Sequence, residues 1–176
     1  ELAAIPDKVT DEDIKGRLDL RGDVIFTIDS ESTKDMDDAI SIKVLDNGNY
    51  ELGVHIANVS HYVKKGSAIY EDAIKRGNSA YFANSVIPML HFDISNGICS
   101  LNEDVDRLTK SCIMEINKKG KVLNYYITDS VIHSKKKMTY EDINKIFEDG
   151  VVTSEYLPYY DSLKTLKELT TILKEK

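Results

Sequence analysis

The sequence predicts an α+β domain with a largely antiparallel or mixed β-sheet and packed helices. Short apolar runs rich in β-branched residues are separated by polar turns, which is typical of strands. Two of the turns contain glycine in a hairpin context. Amphipathic helical segments also occur, but they do not alternate regularly with the strands, so a doubly wound parallel sheet is not favoured.

The first sixty residues contain a linker and three predicted strands. Residues 1–18 are polar and acidic, and we expect an entry linker with a short helical turn near residues 11–16. Residues 24–28 are apolar and β-branched, which predicts a buried strand. The apolar runs 39–45 and 50–57 flank an Asn-Gly pair, whose preference for positive φ angles favours a tight hairpin between them.

The remaining elements follow from periodicity and capping. Residues 67–78 predict a helix with Ile69, Ala73 and Ile74 on its apolar face. Residues 111–117 and 122–134 predict a second hairpin around a Lys-Gly pair. Thr139 is the predicted N-cap of a helix over 140–147, and leucines spaced along 162–174 predict a final helix. The sequence leaves open whether this last helix packs back on the sheet or against residues beyond it.

Composition excludes several classes of protein. The chain has 176 residues, of which 41% are hydrophobic and 30% charged, without the long apolar run that a membrane span needs. We therefore expect no membrane partner and a cytoplasmic location. Cys99 and Cys112 lack a zinc-ligand spacing, so we expect both to be reduced. Residues 1–60 hold 14 of the 30 acidic residues but 6 of the 23 basic ones, so the acidity is local.

Four aspartates concentrate that acidity directly after the first predicted strand. Asp29 ends the strand, and Asp35, Asp37 and Asp38 follow a polar loop. If the loop folds back, four carboxylates converge, and they repel one another unless a cation neutralises them. Carboxylate oxygens suit Mg²⁺ or Mn²⁺, which retain water positions for phosphate oxygens. A metal site for phosphodiester chemistry is one hypothesis that the spacing allows.

Spacing alone leaves other interpretations open. The segment is compatible with a solvated acidic loop, with a structural calcium or other metal-binding module, or with a DxD site of a metal-dependent glycosyltransferase. A calcium loop is less favoured because there is no glycine at its turn position and no closing glutamate.

A series of motifs resembles the catalytic domain of the ribonuclease II / ribonuclease R family. In order they are RGD at 21–23, TID at 27–29, KDMDDAI at 34–40, VHIANVSHYV at 54–63, PML at 88–90, CSL at 99–101 and DRL at 106–108. The resemblance covers roughly residues 17–147. It departs from the family pattern at Asn58, His91 and Glu103, none of which is one of the four aspartates.

The resemblance implies a specific activity. Enzymes of this family degrade single-stranded RNA processively from the 3′ end to nucleoside 5′-monophosphates. Residues 19–176 would then be the N-terminal part of the catalytic (RNB) domain, with Asp29, Asp35, Asp37 and Asp38 as the catalytic acids that bind Mg²⁺. A family member that binds RNA without cleaving it is the alternative, which the four intact acids disfavour.

The resemblance also assigns RNA contacts. Tyr81 corresponds to the aromatic residue that stacks on or positions the 3′-terminal nucleotide, and Tyr140 to a residue near the RNA backbone or ribose. Arg76 is a candidate phosphate contact, although it could equally brace carboxylates, as could Arg107. His55 alternates with apolar Val54 and Ile56, so we expect a structural or solvent-facing position for it, and the role of His61 stays open. The lysines at 135–137 are compatible with an RNA contact, but a solvated strand end is favoured.

Parts of the family's active site do not occur in this sequence. They are a later arginine-bearing segment, an aromatic clamp that pairs with the Tyr81 position, and the flanking cold-shock and S1 modules with OB folds. The first residue is Glu1 instead of Met. We therefore expect a piece of a longer protein that is inactive, or nearly so, on its own.

Overall fold

The computed structural model describes residues 2–83 and 85–175, in which nine strands and five α-helices are found. The strands are β1 Leu18–Asp19, β2 Ile25–Asp29, β3 Asp38–Val44, β4 Tyr50–Ala57, β5 Ala80–Tyr81, β6 Val86–Ile87, β7 Asp106–Ile116, β8 Val122–His133 and β9 Lys136–Thr139. The α-helices are α1 Asp11–Ile14, α2 Val59–Tyr62, α3 Ala68–Arg76, α4 Tyr140–Asn144 and α5 Tyr160–Lys174. Short 3₁₀ turns span Leu2–Ala4 and Leu157–Tyr159, and π-helical turns span Asp93–Ile98 and Lys145–Asp149.

Seven of the strands form one mixed sheet, in the order β1-β8-β7-β4-β3-β2-β9. The inner neighbours are antiparallel, whereas β1 pairs with β8 and β9 with β2 in parallel. Strands β5 and β6 form a separate two-stranded ribbon. The predicted α+β class with a mixed sheet is confirmed.

Both faces of the sheet are covered. Consecutive residues Ile25 and Phe26 are fully buried and belong to different cores, because successive strand residues point to opposite faces. On the Ile25 face the core includes Met36 and the Asp93–Ile98 turn. On the opposite face α5 buries Leu163 and Leu169 against the sheet, so the final helix packs back on it.

Local signals placed most elements correctly. Strand β4 has the predicted bounds, and the first hairpin turns at Gly48, whose φ is 81°. The helix predicted at 67–78 is shorter, because Gly77 adopts a φ of 74° and ends it. Ile74 is 57% exposed, so its assignment to the buried face was wrong. Thr139 caps α4 as predicted, since its side chain accepts a bond from the Asp142 amide.

The first seventeen residues contact the domain through apolar side chains. Leu2, Ile5 and Val9 pack against the core on the Ile25 face. At α1, the Thr10 side chain and Asp13 form a reciprocal capping box. Across the two described ranges, every helix is too short or too polar to cross a membrane.

Candidate active site

The four aspartates lie where two neighbouring strands meet. Asp29 is the last residue of β2 and Asp38 the first residue of β3. Because β2 and β3 are antiparallel neighbours, both residues lie at the same end of the sheet. The connection between them carries Asp35 and Asp37, so the acidic segment, residues 29–38, is concentrated there.

One buried side chain and one hydroxyl determine the path of the acidic segment. Met36 is 2% exposed and packs in the core, so its neighbours Asp35 and Asp37 remain at the surface of the site. The buried Ser100 hydroxyl donates to the Lys34 carbonyl at 2.9 Å and accepts from the Met36 amide at 3.1 Å. The Leu101 amide donates to the Met36 carbonyl. The segment is therefore bonded to residues that are more than sixty positions away.

Lys137 forms hydrogen bonds with the N-terminal half of the acidic segment. Its ammonium donates to the Glu31 carbonyl at 3.0 Å and to the Thr33 carbonyl at 2.5 Å. Its charge also lowers the pKa of Asp29, against the larger opposing effect of burial. Sequence reasoning missed both Ser100 and Lys137 as supports of the site, because neither contact is local in the chain.

The four carboxyl groups are close enough to repel one another electrostatically. Partial burial raises the pKa of Asp29, and the charges of Asp38 and Asp35 raise it further. Burial likewise raises the pKa of Asp37, followed by the charges of Asp35, Asp38 and Asp29. The structure thus brings the four predicted acids within electrostatic range of one another. Both shifts follow from partial burial and from repulsion between like charges.

The donor set suits a hard cation, although no coordination cage is preformed. Within residues 2–83 and 85–175, no three His, Cys, Asp or Glu side chains are close enough to hold a metal ion. Mg²⁺ commonly uses one or two carboxylates and fills its shell with water and substrate phosphate, so a complete protein cage is not required. The carboxylate oxygens and the concentrated negative charge of residues 29–38 fit such an ion.

A cavity of about 360 Å³ lies beside the acids. Asp35, Asp37, Tyr81, Leu90 and Cys99 contribute to its wall. The Tyr81 hydroxyl donates to Asp35 Oδ2 at 3.4 Å, and the Tyr81 side chain is 69% exposed. The cavity therefore has carboxylates on one side and an accessible aromatic ring on another.

The part of the sequence that forms the seven-stranded sheet matches a known protein family. The family model for the RNB domain matches residues 17–176. The chain belongs to the RNB-domain family. It is 55% identical over 175 residues to ribonuclease R of Thermotoga maritima, a match that covers 99% of this chain and 25% of that protein. The chain thus spans about a quarter of the length of this relative.

Solved structures show the same RNB fold. Mycoplasma genitalium RNase R, in complex with ribose-methylated single-stranded RNA, superposes with a TM-score of 0.91 at 27% identity, covering 99% of this chain and 27% of that one. Yeast Ssd1, described as a pseudonuclease, superposes with a TM-score of 0.76 at 20% identity, covering 92% of this chain and 19% of that one. At that identity the likeness to Ssd1 concerns the fold alone.

Of the two other predicted RNA contacts in this RNB domain, Tyr140 is exposed, whereas Arg76 is bonded to other residues of the chain. Tyr140 begins α4 and is 54% exposed. Its predecessor Thr139 is the register partner of Asp29, so Tyr140 lies near the acidic end of the sheet. Arg76 lies on α3, where it donates to Asp72 at 2.8 Å and to the Pro88 carbonyl at 3.3 Å. The Arg76 guanidinium thus braces the segment that follows Tyr81.

The two histidines in question are structural. His55 is fully buried between Ser111, at 2.7 Å from Nδ1, and Ser41, at 3.0 Å from Nε2. Burial lowers its pKa to about 4, so it is neutral near pH 7. His61 is partly buried, with its Nε2 2.8 Å from Asp13 Oδ1 and its Nδ1 3.2 Å from the Arg17 guanidinium.

Arg107 also has a structural role. The Arg107 guanidinium is buried and donates to the carbonyls of Ser100, Gly97 and Asp106.

The prediction of a solvated strand end at residues 135–137 was wrong, because all three lysines are partly buried and bonded. Lys135 donates to the Arg21 carbonyl and Lys136 pairs with Glu103. Their apolar stems are covered while their ammonium groups find partners, which composition does not reveal.

Both cysteines are free thiols in the described part of the chain. Burial raises the pKa of Cys99 to about 12. Cys99 is therefore a neutral thiol near pH 7 in the wall of the acid-lined cavity.

Proposed function

We propose that this chain carries the acidic metal site of a Mg²⁺-dependent 3′-to-5′ exoribonuclease that hydrolyses single-stranded RNA to nucleoside 5′-monophosphates, processively in the full-length protein. The observation that carries the proposal is the grouping of Asp29, Asp35, Asp37 and Asp38 beside a cavity whose wall includes Tyr81. Membership of the RNB-domain family and the similarity to proteins named ribonuclease R support it.

The four carboxylates would hold Mg²⁺, or Mn²⁺ in its place, at the end of β2 and β3. When bound, the ion would neutralise phosphate charge and lower the pKa of water, which is the chemistry that phosphodiester hydrolysis needs. The residues of this chain supply the rest of the site. Ser100 and Lys137 keep the acidic segment in place through its backbone, so the carboxylates need not reorganise when RNA arrives.

Tyr81 would position the terminal nucleotide. An exposed phenol ring offers a π face to any base, which suits an enzyme that must accept every sequence. The Tyr81 hydroxyl is bonded to Asp35, so stacking and acid placement are linked. Tyr140 lies near the same end of the sheet and is a candidate contact to the ribose or backbone. Arg76 remains a weaker candidate, since its guanidinium already has protein partners.

RNA affinity would come largely from outside residues 1–176. The chain carries a net charge of −7, which does not favour binding a polyanion. A protein of the relatives' length has room for the cold-shock and S1 modules that the motif resemblance implies. We therefore propose that those OB folds bind the strand and that this chain contributes acids and an aromatic platform.

A non-catalytic RNA-binding protein is the competing function. The fold does not exclude it, because a pseudonuclease has the same fold. The intact set of four aspartates and their mutual repulsion favour a site that binds a cation during catalysis. A glycosyltransferase-like role of Asp35 and Asp37 has no further support in the fold.

A linear and a circular RNA of the same sequence test the proposed function. The full-length protein with Mg²⁺ should convert the linear RNA to nucleoside 5′-monophosphates and leave the circular RNA intact, because the circle has no 3′ end. A chelator should stop the reaction, and added Mg²⁺ should restore it. Products are identified by liquid chromatography and mass spectrometry. Equal degradation of both RNAs, or activity that persists in the chelator, would contradict the proposal.

A further inference from the structure

Strand β8 has a free outer edge over residues 122–128. Its inner edge pairs with β7, whereas β1 pairs with β8 only at Ser130 and Val131. Within residues 2–83 and 85–175, no strand pairs with the outer edge of residues 122–128. At a rise of about 3.3 Å per residue this free edge is roughly 23 Å long, which is enough for one more strand of ordinary length.

The composition of the free edge does not suit a strand that faces water. Residues 122–128 are all uncharged, and all except Thr128 are exposed. Natural proteins commonly protect a sheet edge with lysine or proline. Strand β9, at the opposite edge of the sheet, follows that rule with Lys136 and Lys137. The free edge of β8 has no such residue, which indicates a strand that is covered in the complete protein.

The face of the sheet beside the free edge is apolar and only partly covered. Tyr125 is the register partner of Met114, which packs in the core that includes Leu169 of α5, so Tyr125 points to the α5 face. Ile127 points to the same face two residues further on, opposite Cys112. Tyr125 is 63% exposed and Ile127 61% exposed. The free edge therefore continues into an apolar surface that α5 leaves uncovered.

Helix α5 ends beside the start of the free edge. Near its C-terminus, Ile172 and Leu173 approach the turn before β8 so closely that a Cβ on Gly120 would lie 3.1 Å from Ile172 Cγ2 and 3.3 Å from Leu173 Cδ2. The match to Thermotoga maritima ribonuclease R covers only 25% of that protein. In a full-length protein of similar length, the chain that continues from α5 would start next to Val122.

Other occupants of the free edge are less favoured. Each copy of this chain carries a net charge of −7, so two copies repel one another. A helix could cover Tyr125 and Ile127, but it would leave the backbone N–H and C=O groups of the edge unpaired.

We propose that the next strand-forming segment after residue 176 in the full-length protein adds to the free edge of β8. Its backbone would bond to residues 122–128, and its apolar side chains would cover Tyr125 and Ile127. The added strand would fix the part of the protein that follows α5 on the sheet that carries the four aspartates. This inference goes beyond the proposed function and does not depend on catalysis.

A photo-crosslinker at position 125 tests the occupant in the full-length protein. Tyr125 is replaced by p-benzoylphenylalanine, which keeps an aromatic ring there. The protein is irradiated without RNA or Mg²⁺, so the result is independent of nuclease activity, and crosslinked peptides are identified by mass spectrometry. We expect the main product to join position 125 to the segment after residue 176 of the same molecule. A covalent dimer, a crosslink to other segments alone, or no crosslink would overturn the proposal.

Ile127→Asp and Val44→Asp provide a matched pair of variants. Val44 ends β3, is 52% exposed and lies away from the free edge, so both changes replace an exposed β-branched strand residue with a charge. If a strand covers Ile127, Ile127→Asp buries that charge and should lower the melting temperature of the full-length protein by several degrees more than Val44→Asp does. Equal melting temperatures of the two variants would place Ile127 in water and contradict the added strand. If Ile127→Asp does not fold, the crosslink decides the question.

Discussion

Asp37→Asn in the full-length protein should slow single-turnover RNA degradation about a hundredfold or more, with nearly unchanged RNA affinity. The substitution keeps the shape of the side chain and removes one negative charge from a group of four. Asp37 interacts with the other three acids, so its loss weakens their joint attraction for a cation. RNA affinity should persist because the proposed OB folds outside residues 1–176 supply most of it.

Asp46→Asn controls for a general loss of negative charge. Asp46 is exposed in the turn between β3 and β4, away from the acidic segment. Its replacement should leave the degradation rate unchanged. Near-normal degradation by Asp37→Asn in Mg²⁺ would remove Asp37 from the proposed site. Loss of RNA binding in parallel with rate would indicate misfolding or a binding role instead.

Lys137→Met should reduce the degradation rate between about tenfold and a hundredfold, because small displacements of catalytic groups are costly. The substitution removes both bonds from the Lys137 ammonium to the loop carbonyls of Glu31 and Thr33. It also removes a positive charge that lowers the pKa of Asp29. The acidic segment would keep its bonds to Ser100 and lose its support near Asp29.

The conservative variant and a distant lysine separate positioning from folding. Lys137→Arg retains the charge and the donors and should recover part of the rate. Lys65→Met, at an exposed position before α3, should have no effect. Each variant is compared in single-turnover rate, RNA affinity and melting temperature. The positioning role fails if Lys137→Met folds normally and degrades RNA at the unmodified rate, or if its rate loss follows its loss of melting temperature.

Local patterns in the sequence predicted much of the fold. The alternation in residues 50–57 predicted β4, and the glycines at 48 and 120 marked hairpins because their φ angles are positive. Strand order was not predictable in this way. The parallel addition of β9 to β2 joins residues more than a hundred positions apart, and the lysines of β9 gave it a polar composition.

The acids of the candidate site were found from the sequence, whereas their supports were not. Four aspartates in ten residues stand out in any sequence, and the strand before them indicated where they would lie. Ser100 was visible only as part of a motif, and nothing in its neighbours shows that its hydroxyl reaches Lys34 and Met36.

Paramagnetic broadening by Mn²⁺ in NMR spectra of residues 1–176 tests most directly whether the four aspartates hold the cation. If they do, amide resonances of residues 28–39 should broaden at the lowest Mn²⁺ concentrations, excess Mg²⁺ should restore them, and Asp37→Asn should require more Mn²⁺ for the same effect. Broadening that begins elsewhere, such as the acidic residues 7–13, or that Mg²⁺ does not reverse, would contradict the central claim.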